Sequence, residues 1–317
     1  MFITIGPDNH TGFRKHLEEL SYCFNGPSKF IRIKKIGSEE LKKVHLLKPK
    51  LTIIGGKNWI IRNYKILNKI PGKKGILFCS PLAQAEISKE EISNLLIYIK
   101  WLEEGRIDYL FTGSKDLADT LKRDNVLYLP APFRKYNLKY DKKYTNRNTI
   151  AILNDKMPHK NTANTLAGIA KSKLIKEVLI NGVEKNWLRL IELFGLKAIT
   201  KNLGFLSNSE YYEVLNKVKL TTHLSFSEGF CYAALESLYL GTPVLITPTL
   251  KWFYNTKLLI RDPEDINEIG DKIDEIFSLS KSDYLELSIN CREIAESAIK
   301  NNNYACVKTI DSIIKLI

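Results

Sequence analysis

Short apolar, β-branched runs alternate with amphipathic stretches of helical period along nearly the whole chain, and this alternation is interrupted only once. Such a pattern folds as helices layered on a largely parallel sheet, because parallel neighbours must be joined by a crossover long enough to hold a helix. Strands are expected over 2–5, 30–33, 51–54, 75–78, 108–111 and 126–129, with helices over 13–23, 93–102 and 115–121, the last capped by Ser114. After Leu129 the segment PAPFRKYNLKYDKKYTNRN brings two prolines, dense charge and no apolar period, which sets a domain boundary. A second alternation follows. Its expected strands are 149–153, 177–180, 198–200, 220–224, 244–246 and 257–260, and its helices 162–170, 185–194, 209–217, 230–240, 264–277, 284–300 and 304–315. The expected fold class is α/β, with two doubly wound parallel sheets in tandem that take a ligand at their strand C-termini, in a cleft between them.

A length of 317 residues agrees with about two domains at roughly 150 residues each. Charge is divided unevenly between the halves. Residues 1–145 hold 27 Lys and Arg against 15 Asp and Glu, whereas residues 146–317 hold 21 against 20. The field of the first half attracts anionic partners, whether phosphate groups, nucleic acid or an acidic membrane surface; solvated surface lysine is the plain alternative. Lys34, Lys35, Lys42, Lys43, Lys48 and Lys50 cluster where turns and helix ends are expected. The apolar stretch from Ile92 to Leu102 is broken by Asn94 and Lys100, short of the ~20 residues a bilayer requires. Its stripe of Ile92, Leu95, Leu96 and Ile99 suits a core better than a membrane face. The start, MFITIG, reads as a strand without the charged flank and cleavage site of a secretory signal. Cys23, Cys79, Cys231, Cys291 and Cys306 are scattered and odd in number, with no Cys-x-x-Cys pair, so reduced thiols are expected. Together these features point to a soluble cytoplasmic protein.

The chemistry concentrates in HLSFSEGFCYAALESLYLGTPVLIT, His223 to Thr247: a strand, a Ser/Gly turn, a helix, a Gly-Thr-Pro stop and another strand. A helix entered through Gly229 points unpaired N–H groups into the preceding loop, the physical basis of an anion site. Glu228 stands at its mouth and Glu236 about two turns on, which separates the carboxylates by ~9–12 Å of helical rise. That is too far for the ~5 Å of a retaining-glycosidase pair, but it suits one ligand long enough to touch both. On spacing alone, a solvated loop Glu and an ordinary helix Glu explain the pair better.

The flanking residues narrow the choice. SFSEGFCYAALESLYLGTPV, from Ser225 to Val244, resembles the Glu-x7-Glu signature of the retaining nucleotide-sugar glycosyltransferases of GT-B fold, specifically glycosyltransferase family four. The resemblance implies that Glu228 is the catalytic residue beside the transferred sugar. Gly229, Phe230 and Cys231 would offer backbone N–H groups to sugar and phosphate, and Glu236 would bind the ribose hydroxyls. Cys231 and Ser237 replace a usual Gly and a usual Ala. A second segment, Ala151 to Ala170, aligns Lys160 with the family lysine that neutralises the donor diphosphate, while Asn154 and Asp155 replace the Gly-Arg that precedes it. Lys156 is the candidate stand-in for the missing arginine. A third, PDNHTGFRKHLEEL, keeps the second glycine of the family's diphosphate loop as Gly12, with Thr11 at the first and Arg14 where a carboxylate is frequent. The family's donor-sugar histidine is absent: ILFCSPLAQAE has Ser80 and Pro81 at that place, and His10 and His16 lie elsewhere.

From the resemblance follow an amino-terminal acceptor domain over 1–140, a donor domain over 146–303, and a terminal helix over 304–317 that returns to the first domain. The implied activity is metal-independent transfer of a hexosyl group from a UDP- or GDP-sugar to an acceptor hydroxyl, with retention and with no cofactor beyond the nucleotide sugar. No Asp-x-Asp triplet is present. No residue presents itself as a nucleophile, so a front-face path through the departing phosphate is expected, with closure about residues 134–147 excluding water. The basic first half suggests an acceptor glycan, lipid or other anionic molecule, with peripheral contact to an anionic membrane. Two other readings remain open: a non-catalytic GT-B-like binding protein, given the missing Arg and His, and a DNA-base glucosyltransferase. Against nucleic acid, no aromatic and basic motif of a recognised binding module appears. No Gly-x-Gly-x-x-Gly follows a strand, and Walker A and His-Glu-x-x-His are absent.

Overall fold

In the computed structural model, the described residues are all of 1–317 except 8–11, 25, 34–37, 57, 63, 82, 85–87, 135–147, 154–156 and 183. The chain divides into two units, Met1–Tyr136 with Ile299–Ile317, and Asn137–Ala298. Lys156 and the replacements Asn154 and Asp155 lie outside the described residues, as do Asp8 to Thr11 and all of the expected hinge over 134–147 except Arg134.

Unit 1 runs β1 (Phe2–Pro7), α1 (Gly12–Cys23), β2 (Ser28–Ile33), α2 (Ser38–Leu47), β3 (Leu51–Gly55), α3 (Asn58–Arg62), a 3-10 turn (Tyr64–Lys69), β4 (Lys73–Phe78), α4 (Lys89–Glu103), β5 (Tyr109–Thr112), α5 (Lys115–Leu121) and β6 (Val126–Tyr128). Its six strands are all parallel, in the order β2-β1-β3-β4-β5-β6. Successive strand residues point to opposite faces, and here both faces are apolar, as a sheet covered on two sides requires. Ile3, Ile5, Ile54, Ile76 and Phe78 enter one core with Leu95, Tyr98 and Leu102 of α4. Phe2, Leu51, Ile53, Leu77 and Phe111 enter the other with Leu17 and Leu20 of α1 and with Cys306, Ile310 and Ile313 near the chain's end. Ser114 caps α5, accepting from Leu117 N at 3.3 Å. Helix α2 went unread in the sequence because its lysines mask the periodicity. Lys42 and Lys43 lie exposed within it while Val44 faces the core.

Unit 2 runs β7 (Thr149–Ile152), a 3-10 turn (Pro158–Lys160), α6 (Thr162–Lys171), β8 (Glu177–Ile180), α7 (Lys185–Leu193), β9 (Thr200–Asn202), α8 (Asn208–Lys217), β10 (Leu220–His223), α9 (Tyr232–Tyr239), β11 (Val244–Ile246), a 3-10 turn (Thr256–Leu258), α10 (Ile266–Phe277) and the start of α11 (Lys281–Leu316). Its strands are parallel in the order β11-β10-β7-β8-β9. The sheet therefore grows outward in both directions from the β7/β10 pair, and the crevice outside the C-terminal ends of that pair is where open α/β sheets hold ligands.

Two expectations are corrected. The strand expected over 257–260 is instead the 3-10 turn Thr256–Leu258, joined to the sheet by a single bridge, Ile246 to Leu259. The Asn255 side chain accepts from Lys257 N at 2.9 Å and starts the turn before a ladder can form. The helices expected over 284–300 and 304–315 are one uninterrupted helix of 36 residues. The Asn301-Asn302-Asn303 run reads as a break, since asparagine is a poor helix former. In the fold, Asn303 brackets Phe133, accepting from its N and donating to its O at 2.9 Å each, and Asn302 donates to Ala131 O at 3.1 Å. All five cysteines are free thiols. Among the described residues no helix is long and apolar enough to cross a membrane.

The asparagine bracket yields a stability prediction. Asn303→Ala, which removes both bonds to the Phe133 backbone, should lower unfolding free energy by about 1–2 kcal/mol, read as a lower urea midpoint. An unchanged midpoint would mean that the run is tolerated in the helix rather than used.

Candidate active site

The loops leaving β7 and β10 are tied together, Phe226 N donating to His159 O at 2.8 Å. On the β7 side the 3-10 turn ends at Asn161 in a left-handed conformation, φ 53, which asparagine tolerates. The Asn161 side chain donates to Pro263 O at 2.7 Å, and its carbonyl accepts from Thr165 Oγ1 at 2.8 Å. Helix α6 then packs closely on α10: a Cβ on Gly168 would collide with the Ile269 side chain. Lys160 is thus delivered from a rigid turn. On the β10 side, Thr247 Oγ1 donates to Ser225 O at 2.6 Å and fixes the start of the loop.

Glu228 is where the two loops meet. Lys160 Nζ donates to its Oε1, His223 Nε2 lies 3.0 Å from the same oxygen, and Ser225 Oγ donates to it at 3.0 Å. The Glu228 and Lys160 side chains are only 7% and 11% exposed, so this is a buried pair rather than a surface one. Burial would raise the Glu228 pKa, but the hydrogen bond and charge of His223, followed by those of Lys160, override it and hold the group at about 2.

Glu236, also buried, accepts from Tyr212 Oη at 3.1 Å. Helix α9 begins at Tyr232, two residues later than expected, because Cys231 takes an extended conformation and caps it, its Sγ accepting from Ala234 N at 3.3 Å. Gly229 and Phe230 therefore belong to the loop, and the Phe230 ring meets Tyr232 edge-on and Trp252 at a tilt, at centroid distances of 5.0 and 5.8 Å. Both departures from the signature have structural employment. Cys231 is the cap, and Ser237 bonds Thr221 Oγ1 at 2.7 Å and donates to Thr242 O at 3.1 Å.

Lys160 and Glu228 are thus brought together, with Gly229, Phe230, Cys231 and Glu236 following on the same loop and helix. Gly12 starts α1 in the other unit, after β1. At the end of β4 in that unit, Ser80 Oγ donates to Glu91 at 2.9 Å, and His16 Nδ1 lies 3.4 Å from Cys79 Sγ. Burial lowers the His16 pKa to about 4, so the imidazole is neutral at pH 7. Among the described residues, no three His, Cys, Asp or Glu side chains gather as a metal site.

Sequence reasoning missed His223, Ser225 and Tyr212. His223 and Ser225 sit two apart at a strand end, so they share a face, and that period was the available signal. Tyr212 had none, since its approach to Glu236 depends on how α8 packs.

Residues 141–297 match the family model described as "Glycosyl transferases group 1". HepE of Anabaena, solved in complex with UDP and glucose, superposes with a TM-score of 0.75 at 13% identity over 98% of this chain and 100% of its own. Sucrose-phosphate synthase of Thermosynechococcus elongatus gives 0.72 at 13% identity over 100% of both chains. TarM of S. aureus, solved with Fondaparinux, alpha-GlcNAc-glycerol and UDP, gives 0.66 at 14% identity over 86% of this chain and 58% of its own. No curated protein sequence matches. The fold is GT-B: two α/β domains, each on a parallel sheet.

The depressed pKa makes Glu228 a stability group. Relative to the ordinary 4.5, its contribution is fully present above pH 4.5 and is lost as pH falls through about 2. Denaturant midpoints measured across that window should show Glu228→Gln with a shallower acid slope than the parent chain. Equal slopes would mean that the carboxylate is not held by its three donors.

Proposed function

We propose that the chain is a retaining, metal-independent glycosyltransferase that moves a hexosyl group from a UDP- or GDP-sugar to an acceptor hydroxyl. The observation that carries this reading is the pairing of Lys160 from the β7 loop with Glu228 from the β10 loop, at the point where the unit 2 sheet changes its direction of growth.

The work of such a site is to stabilise the charge of the departing diphosphate, to align the anomeric carbon with the acceptor oxygen, and to keep water away. Lys160 would supply cationic charge to the diphosphate, helped by N–H groups of Gly229 to Cys231 and by Lys156. Glu236 would hold the ribose hydroxyls while Tyr212 fixes the carboxylate's orientation. Glu228 would stand beside the transferred sugar. The triple support of Glu228 has a mechanistic use here: when Lys160 turns to a diphosphate, His223 and Ser225 still donate to the carboxylate, so it stays ionised and in place. Gly12, at the start of α1, would let backbone approach the donor in the closed enzyme.

The excess of positive charge in residues 1–145 supports an anionic acceptor or one set in an anionic membrane, with the protein in the cytoplasm against that surface. A second reading, a GT-B-like protein that binds a nucleotide sugar without turnover, draws on Asn154 and Asp155 standing in place of the Gly-Arg cation.

A panel of UDP- and GDP-sugars separates the two readings. The enzyme should hydrolyse at least one donor slowly in the absence of acceptor, with no loss of rate in EDTA. Glu228→Gln should reduce turnover by more than about a hundredfold while donor still raises the melting temperature. Thermal protection without turnover by the parent chain would select the binding protein instead. Binding to anionic liposomes that weakens with salt would support a membrane acceptor, and the same salt dependence on duplex DNA would support the nucleic-acid alternative.

A further inference from the structure

A carboxylate on a helix swings about its own side-chain torsions unless something outside that helix holds it. Glu236 lies within α9, 6% exposed, and is met from α8 by Tyr212, whose Oη donates to its Oε1 at 3.1 Å. A carboxylate only accepts and a phenol has one O–H to give, so this bond fixes how the carboxylate is turned. The neighbouring Tyr211 ring meets Tyr212 edge-on at 5.6 Å. Its own phenol is pushed well above the ordinary range, by burial first and then by the charge of Glu236. Both tyrosines of α8 therefore lie against the same carboxylate.

Helix α8 is itself tied at both ends. Its start is a capping box, in which Ser207 Oγ accepts from Glu210 N at 3.4 Å and Ser207 N donates to Glu210 Oε2 at 2.8 Å. Near its other end, Leu215 O accepts from Thr242 Oγ1 at 2.6 Å. Thr242 N in turn donates at 2.9 Å to the carbonyl of Ser237, the residue after Glu236. Helices α8 and α9 are thus joined at the carboxylate and again at the Gly-Thr-Pro stop. A frame of this kind holds a binding group closely enough for one particular ligand hydroxyl to be required. A site built to receive a hydroxyl rejects the analogue that lacks it, because its own buried polar atom is then left short of a donor.

We propose that Tyr212 is a positioning residue for Glu236, and that the pair makes the site select ribonucleoside over 2′-deoxyribonucleoside diphosphate sugars. Tyr212 acts through the carboxylate and does not touch the ligand. The ribose hydroxyls donate to Glu236 in the orientation that Tyr212 sets, and a deoxyribose leaves part of that acceptor unused. Thymidine-type donors are accordingly poor substrates. The inference rests on the glycosyl-transfer reading, which puts the ribose at Glu236.

Calorimetric titration of the full chain with UDP, 2′-deoxy-UDP and 2′,3′-dideoxy-UDP, and with the guanosine counterparts, tests both halves. The parent chain should bind the 2′-deoxynucleotide at least about tenfold more weakly than the ribonucleotide. Tyr212→Phe, checked for folding by circular dichroism and cooperative melting, should lose about tenfold in affinity for the ribonucleotide but less than about twofold for the dideoxynucleotide. In donor hydrolysis the same variant should raise donor KM about tenfold with kcat changed less than about threefold. Glu236→Gln should erase the preference for ribose, whether or not Tyr212→Phe folds. Equal losses of Tyr212→Phe towards both nucleotides would make Tyr212 a structural residue only and overturn the positioning role. Equal affinity of the parent chain for ribonucleotide and deoxynucleotide would overturn the selectivity while leaving nucleotide binding intact. If the parent chain binds no nucleotide at all, the nucleotide-sugar reading itself fails and takes this inference with it.

Discussion

A carboxylate that is 7% exposed and nonetheless ionised has to be surrounded by donors, and the arrangement of unit 2 follows from where the donors of Glu228 come from. Stripping water from a carboxylate costs several kcal/mol, and only well-directed partners offset it. Two of the three, His223 and Ser225, come from the strand end and loop that carry Glu228 itself. The third, Lys160, comes from a different loop, and this is what brings the β7 and β10 connections to a common point. The bond between Phe226 and His159, the left-handed Asn161 and the close packing of Gly168 on α10 can all be read as supports for that one meeting. The parallel order of the sheet supplies the opportunity, since β7 and β10 are neighbours in space although about 70 residues apart in the chain.

Much of the fold was legible because the chain keeps strict periods. The strands of unit 1 alternate residues between two apolar cores, so a short β-branched run could be recognised from a few residues. What failed failed for local reasons that tertiary contacts reversed. The triple asparagine looks like a helix stop until Ala131 and Phe133 are present to receive its amides. The run ending at Ile260 looks like a strand until the Asn255 side chain turns it. Helix α2 hid behind its lysines.

At the site the same division holds. Glu228, Glu236 and Lys160 were visible because their flanking residues repeat a known spacing, and spacing is a property of sequence. His223 begins that stretch, but the meaning of a histidine at a strand end depends on which groups face it. Tyr211 and Tyr212 belong to a helix whose register against α9 no linear pattern reveals. The replacements at Cys231 and Ser237 read as minor departures in the sequence, whereas in the fold each has its own hydrogen bond.

The 36-residue helix α11 also sets an order of events during synthesis. Cys306, Ile310 and Ile313 close a core whose other members lie between Phe2 and Leu129, so that core is finished only after the intervening unit has been made. Until Cys306 to Ile313 are released, one face of the β1–β6 sheet lacks the part of its cover that α11 supplies, whereas Asn137–Ala298 is contiguous in sequence. The nascent protein therefore carries an uncovered apolar face on that sheet while Asn137–Ala298 is being made.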